Sequence, residues 1–245
     1  MRKLALAAFL ATLACAAGVI VFQGNDAGAG PGNPRPQANA ARDAFLAAIA
    51  GSSSFLLDFE SIPVQYAAVI NLTTMTLSQI GTTADADGGV STGATVGANA
   101  TLGYNTTPGG EKFLRITPIF DIGTAGARLT FNTPVEFFGV FITGLGTAAG
   151  NLTIEFNNGA AFALPVQGTT TGGVNFIGFT TFGAPITYVD MVLRGVTGSR
   201  DIFALDDIIT GLQPTYVPSG DIPEPATLSL AGVALAGLAI LRRRS

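Results

Sequence analysis

Histidine and tryptophan do not occur in this chain of 245 residues, and cysteine occurs once, as Cys15. Without histidine there is no imidazole general base, no imidazole ligand for zinc or copper, and no Ser-His or Cys-His nucleophile pair. A single cysteine cannot form an internal disulfide, so packing has to stabilise the folded part. These absences exclude most of the common hydrolase mechanisms.

Charged residues are also scarce, and most of them are acidic. Between residues 30 and 221 there are seven basic and fourteen acidic side chains, a net charge of −7. Phosphate groups are repelled by a surface of that sign, so we expect no nucleic-acid partner.

The N-terminal residues have the order of a secretory signal peptide. Arg2 and Lys3 precede an apolar run from Leu4 to Phe22, and small-residue cleavage triplets occur at 14–16 and 27–29. We predict a signal peptide over residues 1–29 and export through the Sec translocon. The apolar run is long for a signal peptide, so an uncleaved N-terminal anchor is one alternative and lipid attachment at Cys15 is another.

Residues 30–54 are predicted to form a linker and one short helix, which Asn39 would cap and Gly51 would end. From residue 55 to residue 212 the pattern changes to short β-branched and aromatic segments divided by turn residues. The predicted strands are 55–60, 113–120, 127–132, 137–144, 152–156, 161–166, 174–180, 186–193 and 203–210.

Nine short strands at this spacing predict an all-β fold, a two-sheet antiparallel sandwich of jelly-roll type. The clearest hairpin lies at 152–166, where Asn157, Asn158 and Gly159 are expected to supply the positive φ angles of a tight turn. Residues 72–110 contain few large apolar side chains, so we expect long surface loops there, with a candidate edge strand at 74–80.

After a linker at 213–221, the last residues, 222–245, combine three features in a fixed order. The triplet Pro223, Glu224 and Pro225 precedes an apolar run at 226–241, and the run is closed by Arg242, Arg243 and Arg244. As a helix, the run would rise about 24 Å, enough to span a bilayer with snorkelling arginines. The arginines stay on the cytoplasmic side, which places the preceding domain on the opposite face of the membrane.

This tail resembles the bacterial PEP-CTERM sorting signal, in which a Pro-Glu-Pro box, a weakly hydrophobic helix and an arginine cluster occur together. The resemblance implies an exosortase as partner, a membrane-embedded cysteine protease of Gram-negative bacteria that make extracellular polysaccharide. It also implies transient anchoring in the inner membrane, followed by a location at the cell surface or outside the cell. Phe59-Glu60 and Asp206-Asp207-Ile208 are similar to strand motifs of the jelly-roll body found in such proteins.

The predicted last strand carries two adjacent carboxylates, Asp206 and Asp207. Regular strand alternation would point Asp207 into the core and Asp206 outward. A lone buried carboxylate is costly and needs a partner. The candidates are a cation, an arginine such as Arg194 or Arg200, backbone amides, or a β-bulge that turns Asp207 to solvent.

The first and last strands of such a sandwich often lie together, which would bring Asp58 or Glu60 near this pair. Hard oxygen ligands suit calcium, so Glu60, Asp206 and Asp207 form a candidate structural calcium site. A catalytic carboxylate pair is the competing chemistry, although the chain lacks the tryptophan platforms typical of glycosidases.

These features favour an exported, non-enzymatic structural or adhesive module associated with exopolysaccharide or a biofilm matrix. The alternative is a carbohydrate-binding, lectin-like module that uses loops near one sheet edge, with calcium as a candidate ion. A third hypothesis is a hydrolase that uses Glu60 with Asp206 or Asp207, although the sequence suggests no substrate.

Overall fold

The computed structural model of the protein describes residues 19–80, 88–93, 96–97, 100–101, 103–117, 124–146, 152–164, 172–180, 185–194 and 202–213. The chain divides into two units, Met1–Gln213 and Pro214–Ser245. Most of the predicted signal peptide and the whole tail with its predicted transmembrane helix lie outside the described residues.

The described residues form one helix and sixteen strands. In chain order they are β1 Ile20–Ala27, α1 Pro36–Ala48, β2 Ser53–Leu57, β3 Gln65–Tyr66, β4 Val69–Asn71, β5 Met75–Ile80, β6 Gly89–Thr92, β7 Val96–Gly97, β8 Ala100–Thr101, β9 Lys112–Ile116, β10 Thr124–Val135, β11 Phe137–Thr143, β12 Leu152–Phe156, β13 Ala161–Ala163, β14 Gly173–Thr180, β15 Ile186–Arg194 and β16 Phe203–Leu212.

Two large antiparallel sheets make up the domain, which confirms the predicted sandwich. In the eight-stranded sheet the order is β1-β14-β11-β16-β9-β6-β3, with β2 also paired to β16. The six-stranded sheet has the order β13-β12-β15-β10-β5-β4, and β7 and β8 form a separate two-stranded sheet. The predicted meeting of the first and last strands of the sandwich is also confirmed, because Leu57 of β2 pairs with Ile208 of β16.

The main core lies between the two large sheets, where alternate side chains of the facing strands are buried. Three phenylalanines illustrate how densely it is packed. The rings of Phe138 and Phe179 stack with centroids 5.3 Å apart, and Phe156 meets Phe179 edge-on at 4.1 Å. Removal of this apolar surface from water is the chief stabilisation of the sandwich.

A second, smaller core lies between α1 and the outer face of the eight-stranded sheet. Its centre is Phe45, a fully buried residue of α1. Gly139 of β11 and Gly178 of β14 are paired across the sheet, and a Cβ at either position would lie within 3 Å of the Phe45 ring. The paired glycines therefore form a hollow that receives this ring, and α1 becomes a third layer of the domain.

The helix begins earlier than the sequence predicted. It starts at Pro36, and its free amides are capped by the carboxylate of Asp26, a residue from the end of β1. Asp26 Oδ1 accepts from Gln37 N at 3.1 Å, and Oδ2 accepts from Ala38 N at 2.8 Å. The prediction of Asn39 as the cap was wrong because the capping carboxylate comes from a distant part of the chain.

Three further expectations differ from the structure. Residues 20–27, assigned to the signal peptide, form β1 of the eight-stranded sheet. Residues 89–92, expected to be surface loop, form β6 inside that sheet, between β9 and β3. In the confirmed β12–β13 hairpin only Gly159 has positive φ, so Asn157 and Asn158 do not serve the predicted conformational role.

The cap predicts a measurable effect of Asp26 on stability. Asp26→Ala leaves two helix amides without their acceptor and should lower the free energy of unfolding by about 1–2 kcal/mol. Asp43→Ala is the matched control, because Asp43 is exposed and pairs only with its neighbour Arg42, a contact worth about 0.5 kcal/mol or less. Urea denaturation of the purified protein measures both, and equal effects of the two substitutions would contradict the cap.

Candidate functional site

The two predicted aspartates lie where β16 changes partner along one of its edges. Residues 203–205 of β16 pair with β9, whereas residues 208–212 pair with β2. Asp206 and Asp207 occupy the fork between these two neighbours. Backbone groups at a fork lack a continuous partner strand, so other groups have to supply hydrogen bonds there.

A β-bulge at the fork sets the direction of both side chains. On the opposite edge of β16, Gly139 of β11 pairs with Ile209 but Phe141 pairs with Asp206, so two residues of β16 oppose Val140 alone. Asp207 has a φ of 47°, the left-handed conformation that the extra residue requires.

The bulge corrects the predicted direction of Asp207. It does not point into the core between the sheets, where Ile208 is found instead. The alternative of a bulge is confirmed, but it does not turn Asp207 to solvent, because this residue is only 8% exposed and Asp206 is fully buried.

Both aspartates accept hydrogen bonds from one loop, residues 103–111, which we call the threonine loop. Asp206 Oδ2 accepts from Thr106 N at 2.5 Å, Thr106 Oγ1 at 2.9 Å and Thr107 N at 3.2 Å. Asp207 lies within 2.9 Å of Thr106 Oγ1 and accepts from Thr107 Oγ1 at 2.6 Å. Of the predicted partners, backbone amides are therefore the ones found, together with two hydroxyl groups.

Glu60 holds the other end of the same loop. Its Oε1 accepts from Asn105 Nδ2 at 2.8 Å and from the amides of Glu111 and Lys112, both at 2.9 Å. Lys112 Nζ in turn donates to the carbonyl groups of Glu60 and Ile62. Asp58 bonds to a near neighbour in sequence: its Oδ1 accepts a hydrogen bond from the amide of Glu60 at 3.1 Å.

The three carboxylates of the predicted calcium site therefore share a loop but not a common centre. Within the described ranges, no group of three or more Asp, Glu, Cys or His side chains could hold a metal ion. The oxygens of Glu60, Asp206 and Asp207 that make contacts face amide and hydroxyl donors. In the structure these residues anchor a loop through hydrogen bonds, and calcium at this place stays a prediction.

Arg194, one of the two arginines predicted as a partner of Asp207, pairs with a different carboxylate. Arg194 donates to Glu155 at 2.5 Å on the six-stranded sheet, and Arg200 lies outside the described residues. On the same sheet Arg128 forms a bidentate pair with Asp190, at 2.7 and 2.6 Å, and covers the ring of Tyr188 at 4.1 Å. Those charges belong to a separate surface.

Burial gives Asp206 an unusual protonation equilibrium. Loss of hydration raises the pKa of its carboxyl group to about 7, with a smaller contribution from the nearby charge of Asp207. The hydrogen bonds from Thr106 act in the opposite direction without cancelling the effect. The second oxygen, Oδ1, is buried and makes no hydrogen bond to any described residue, so it is the oxygen free to carry the proton.

A cleft of about 740 Å³ opens beside the threonine loop. Its walls are residues 30–35 before α1, the N-terminal end of α1, the end of β6 and the threonine loop itself. The lining is rich in glycine and proline, and its polar side chains include Asn33, Asn39, Asn105 and Thr107. Neither Asp206 nor Asp207 lines the cleft.

Two residues hold the walls of the cleft together. Arg35 donates to the carbonyl oxygen of Thr106, and its guanidinium lies 5.1 Å from the ring centroid of Phe141. The Tyr104 hydroxyl donates to the carbonyl oxygen of Ala29 at 2.6 Å, and burial raises the pKa of Tyr104 to about 12. Tyr104 therefore remains a neutral hydrogen-bond donor at physiological pH.

One wall residue has an unused hydrogen-bonding atom. Asn39 Oδ1 is buried and has no partner among the described residues, although its residue lines the cleft. Sequence reasoning missed this cleft because Asn39 was taken as a helix cap and 72–110 as surface loop. The clustering of Gly, Pro, Asn and Thr at 30–35 and 103–111 was the only available signal.

Comparison with known proteins identifies the end of the chain. Residues 221–244 match the family model of the PEP-CTERM protein-sorting motif. This match confirms the resemblance of the tail, and it marks the chain as an exported protein of the cell surface or extracellular space that is targeted to an exosortase. No curated protein matches the chain in sequence. Among the residues that the structure describes, no helix is both long and apolar enough to cross a bilayer.

The domain also resembles solved β-sandwich structures at low identity. The K1 cleaved adhesin domain of Lys-gingipain from Porphyromonas gingivalis W83 is 11% identical with a TM-score of 0.37, over 66% of this chain and 99% of that chain. The K2 domain of Lys-gingipain is 15% identical with a TM-score of 0.37, over 64% and 99%. A family 11 carbohydrate-binding module of Clostridium thermocellum is 10% identical with a TM-score of 0.33, over 68% and 100%. These values carry no argument about what this chain binds.

The raised pKa predicts how stability depends on pH. The carboxyl group of Asp206 has a pKa of about 7 when folded against an ordinary value of 3.8, so the folded protein binds this proton more tightly than the unfolded chain. Its contribution to stability is therefore lost as pH rises from about 4 to about 7, by an amount on the order of 3 kcal/mol.

Asp206→Asn removes the titrating group and should flatten this part of the pH profile. Urea denaturation at a series of pH values between 4 and 8 measures the slope in both proteins. Asp43→Asn, an exposed carboxylate, is the control and should retain the parental slope. Parallel profiles for the parent and Asp206→Asn would contradict the assignment.

Proposed function

We propose that this protein is a non-enzymatic structural or adhesive β-sandwich module, exported and then delivered by its PEP-CTERM signal to the cell surface or the exopolysaccharide matrix. The single observation that carries the non-enzymatic part is how the acidic residues are used. The amides and side chains of the threonine loop donate hydrogen bonds to the carboxylates of Glu60, Asp206 and Asp207. A general acid or base has to reach a substrate proton, and neither aspartate lines the cleft.

The same observation weighs against the hydrolase hypothesis. Glycosidases place two carboxyl groups on either side of an open site that a sugar can enter. Here Asp206 is fully buried, Asp207 is 8% exposed, and Glu60 serves the opposite end of the loop. The carboxylates fit a role in stability and leave the surface of the sandwich available for association.

The route of export follows from the two ends of the chain. We propose that the Sec translocon exports the N-terminus and that the apolar run at 226–241 holds the protein in the inner membrane. An exosortase then recognises the Pro-Glu-Pro box and releases the domain from that anchor. Pro223 and Pro225 have fixed φ and lack amide donors, which keeps the box extended and accessible to a protease.

Substitution of both prolines tests this route. Pro223→Ala with Pro225→Ala leaves the apolar run and the three arginines unchanged, so membrane insertion should persist while cleavage stops. We expect full-length protein to accumulate in the membrane fraction of the native host, detected by immunoblotting. The control is Thr227→Ala, a change just after the box that preserves the apolar run. Normal release of the double variant would contradict recognition of the box and favour a plain anchor.

A carbohydrate-binding module is the second candidate, favoured by the cleft beside the threonine loop. Its volume of about 740 Å³ suits an oligosaccharide segment, and its amide and hydroxyl side chains can hydrogen-bond sugar hydroxyl groups. The Oδ1 of Asn39 is a buried acceptor that has no partner among the described residues. A rotation of the Asn39 side chain towards the cleft would let a ligand hydroxyl supply that hydrogen bond.

A glycan array with the purified protein, read with and without calcium, tests this candidate. Asn39→Ala should weaken binding about tenfold or more, because the ligand loses one buried acceptor. Its Oδ1 makes no hydrogen bond to the part of the chain that the structure describes, so we expect the fold to tolerate the loss of that atom. Thr187→Ala, an exposed change on the other sheet, should bind like the parent. Absence of parental binding under both conditions removes the candidate.

A further inference from the structure

We infer that N-terminal processing cuts between Ala16 and Ala17, at the first small-residue triplet, and leaves β1 in the mature protein. The second triplet, at 27–29, lies directly after β1, and a cut there would remove a complete strand from the folded domain. The contacts of residues 19–29 carry the inference.

Strand β1 is an integral part of the eight-stranded sheet. All eight of its residues pair with β14, from Ile20 opposite Thr180 to Ala27 opposite Gly173. Every residue of β14 is buried, including Phe176 and Phe179. Loss of β1 would expose the unpaired edge of this apolar strand, which is a template for aggregation.

Side chains of β1 also hold α1 in place. Asp26 caps the helix, and the ring of Phe22 meets Phe45 edge-on at 5.7 Å. At Gly24 a Cβ would lie 2.0 Å from the carbonyl oxygen of Gln37, so the helix approaches the strand more closely than any side chain allows. If β1 were removed with the signal peptide, the mature protein would lose these contacts of Asp26, Phe22 and Gly24 with α1.

Contacts continue on both sides of β1. Val19 packs against the core between the sheets, so the chain is already part of the domain one residue before the strand. After it, Gly28 N donates to Gly172 O at 2.7 Å, and Ala29 O accepts from the Tyr104 hydroxyl. The 27–29 triplet is therefore part of the folded domain, and a cut after it would remove these contacts from the mature protein.

A cut after Ala16 also accounts for the unusual length of the N-terminal apolar run. Ile20, Val21 and Phe22 belong to β1, so the hydrophobic region of the signal peptide ends before the triplet at 14–16. The part from Leu4 to Leu13 has a length within the range of about 7–15 residues found in signal peptides. The run is long because a strand follows the signal peptide directly.

Mass spectrometry of the protein secreted by its native host tests the cut. We expect a mature N-terminus at Ala17. An N-terminus at Gly30 would overturn the inference, as would an intact Met1, which indicates an uncleaved anchor. A lipid-modified Cys15 at the N-terminus would overturn it in favour of lipoprotein processing.

A matched pair of variants provides a second readout. Ala16→Gln places a large side chain next to the proposed cut, so the precursor with its signal peptide should accumulate. Ala27→Gln changes an exposed residue of the other triplet and should leave processing unchanged. The opposite result, with processing blocked only by Ala27→Gln, would overturn the inference. The C-terminal signal does not enter either readout, so failure of the proposed sorting route would leave them intact.

Discussion

A buried pair of carboxylates has to be supplied with hydrogen-bond donors, and this requirement organises the outer face of the eight-stranded sheet. Asp206 and Asp207 lie at the fork of β16, where no strand can provide a complete row of partners. The threonine loop supplies those partners with two amides and two hydroxyl groups. Its position in turn defines one wall of the cleft.

The network also explains why the charge of the pair can be accommodated without a cation. With a pKa of about 7, Asp206 carries a proton in a substantial fraction of molecules at neutral pH, which reduces its repulsion with Asp207. Desolvation is the largest cause of that pKa, so the burial that demands hydrogen bonds also lowers the mean charge. Glu60, in the same network, is only partly buried and accepts three hydrogen bonds.

Much of the sandwich was predictable because its strands carry local signals. Period-two alternation and turn residues placed β12 at 152–156 as predicted. The strand predicted at 74–80 is present as β5, but it lies between β10 and β4 and not at an edge of the sheet. The pairing of β2 with β16 followed from a general property of such folds. These features depend on neighbours in sequence or on common topology.

The remaining features depend on contacts between distant residues. The bulge at Asp207 breaks the period-two alternation of side chains that the prediction assumed. No residue pattern near Asp207 in the sequence indicates a bulge. The cap of α1 comes from Asp26, and β1 was hidden because its apolar residues continue those of the signal peptide. Loop 103–111 has few apolar residues, yet residues 103, 104 and 106 are buried where the loop meets the aspartates. A polar segment was therefore mistaken for an exposed one.

The most direct test of this account is native-state hydrogen exchange at the amides of Thr106 and Thr107, measured with calcium and with a chelator. If the carboxylates of β16 anchor the loop by hydrogen bonds, both amides should exchange slowly, and the chelator should not change their rates. Exchange as fast as in an exposed loop, or protection that appears only with calcium, would contradict the account.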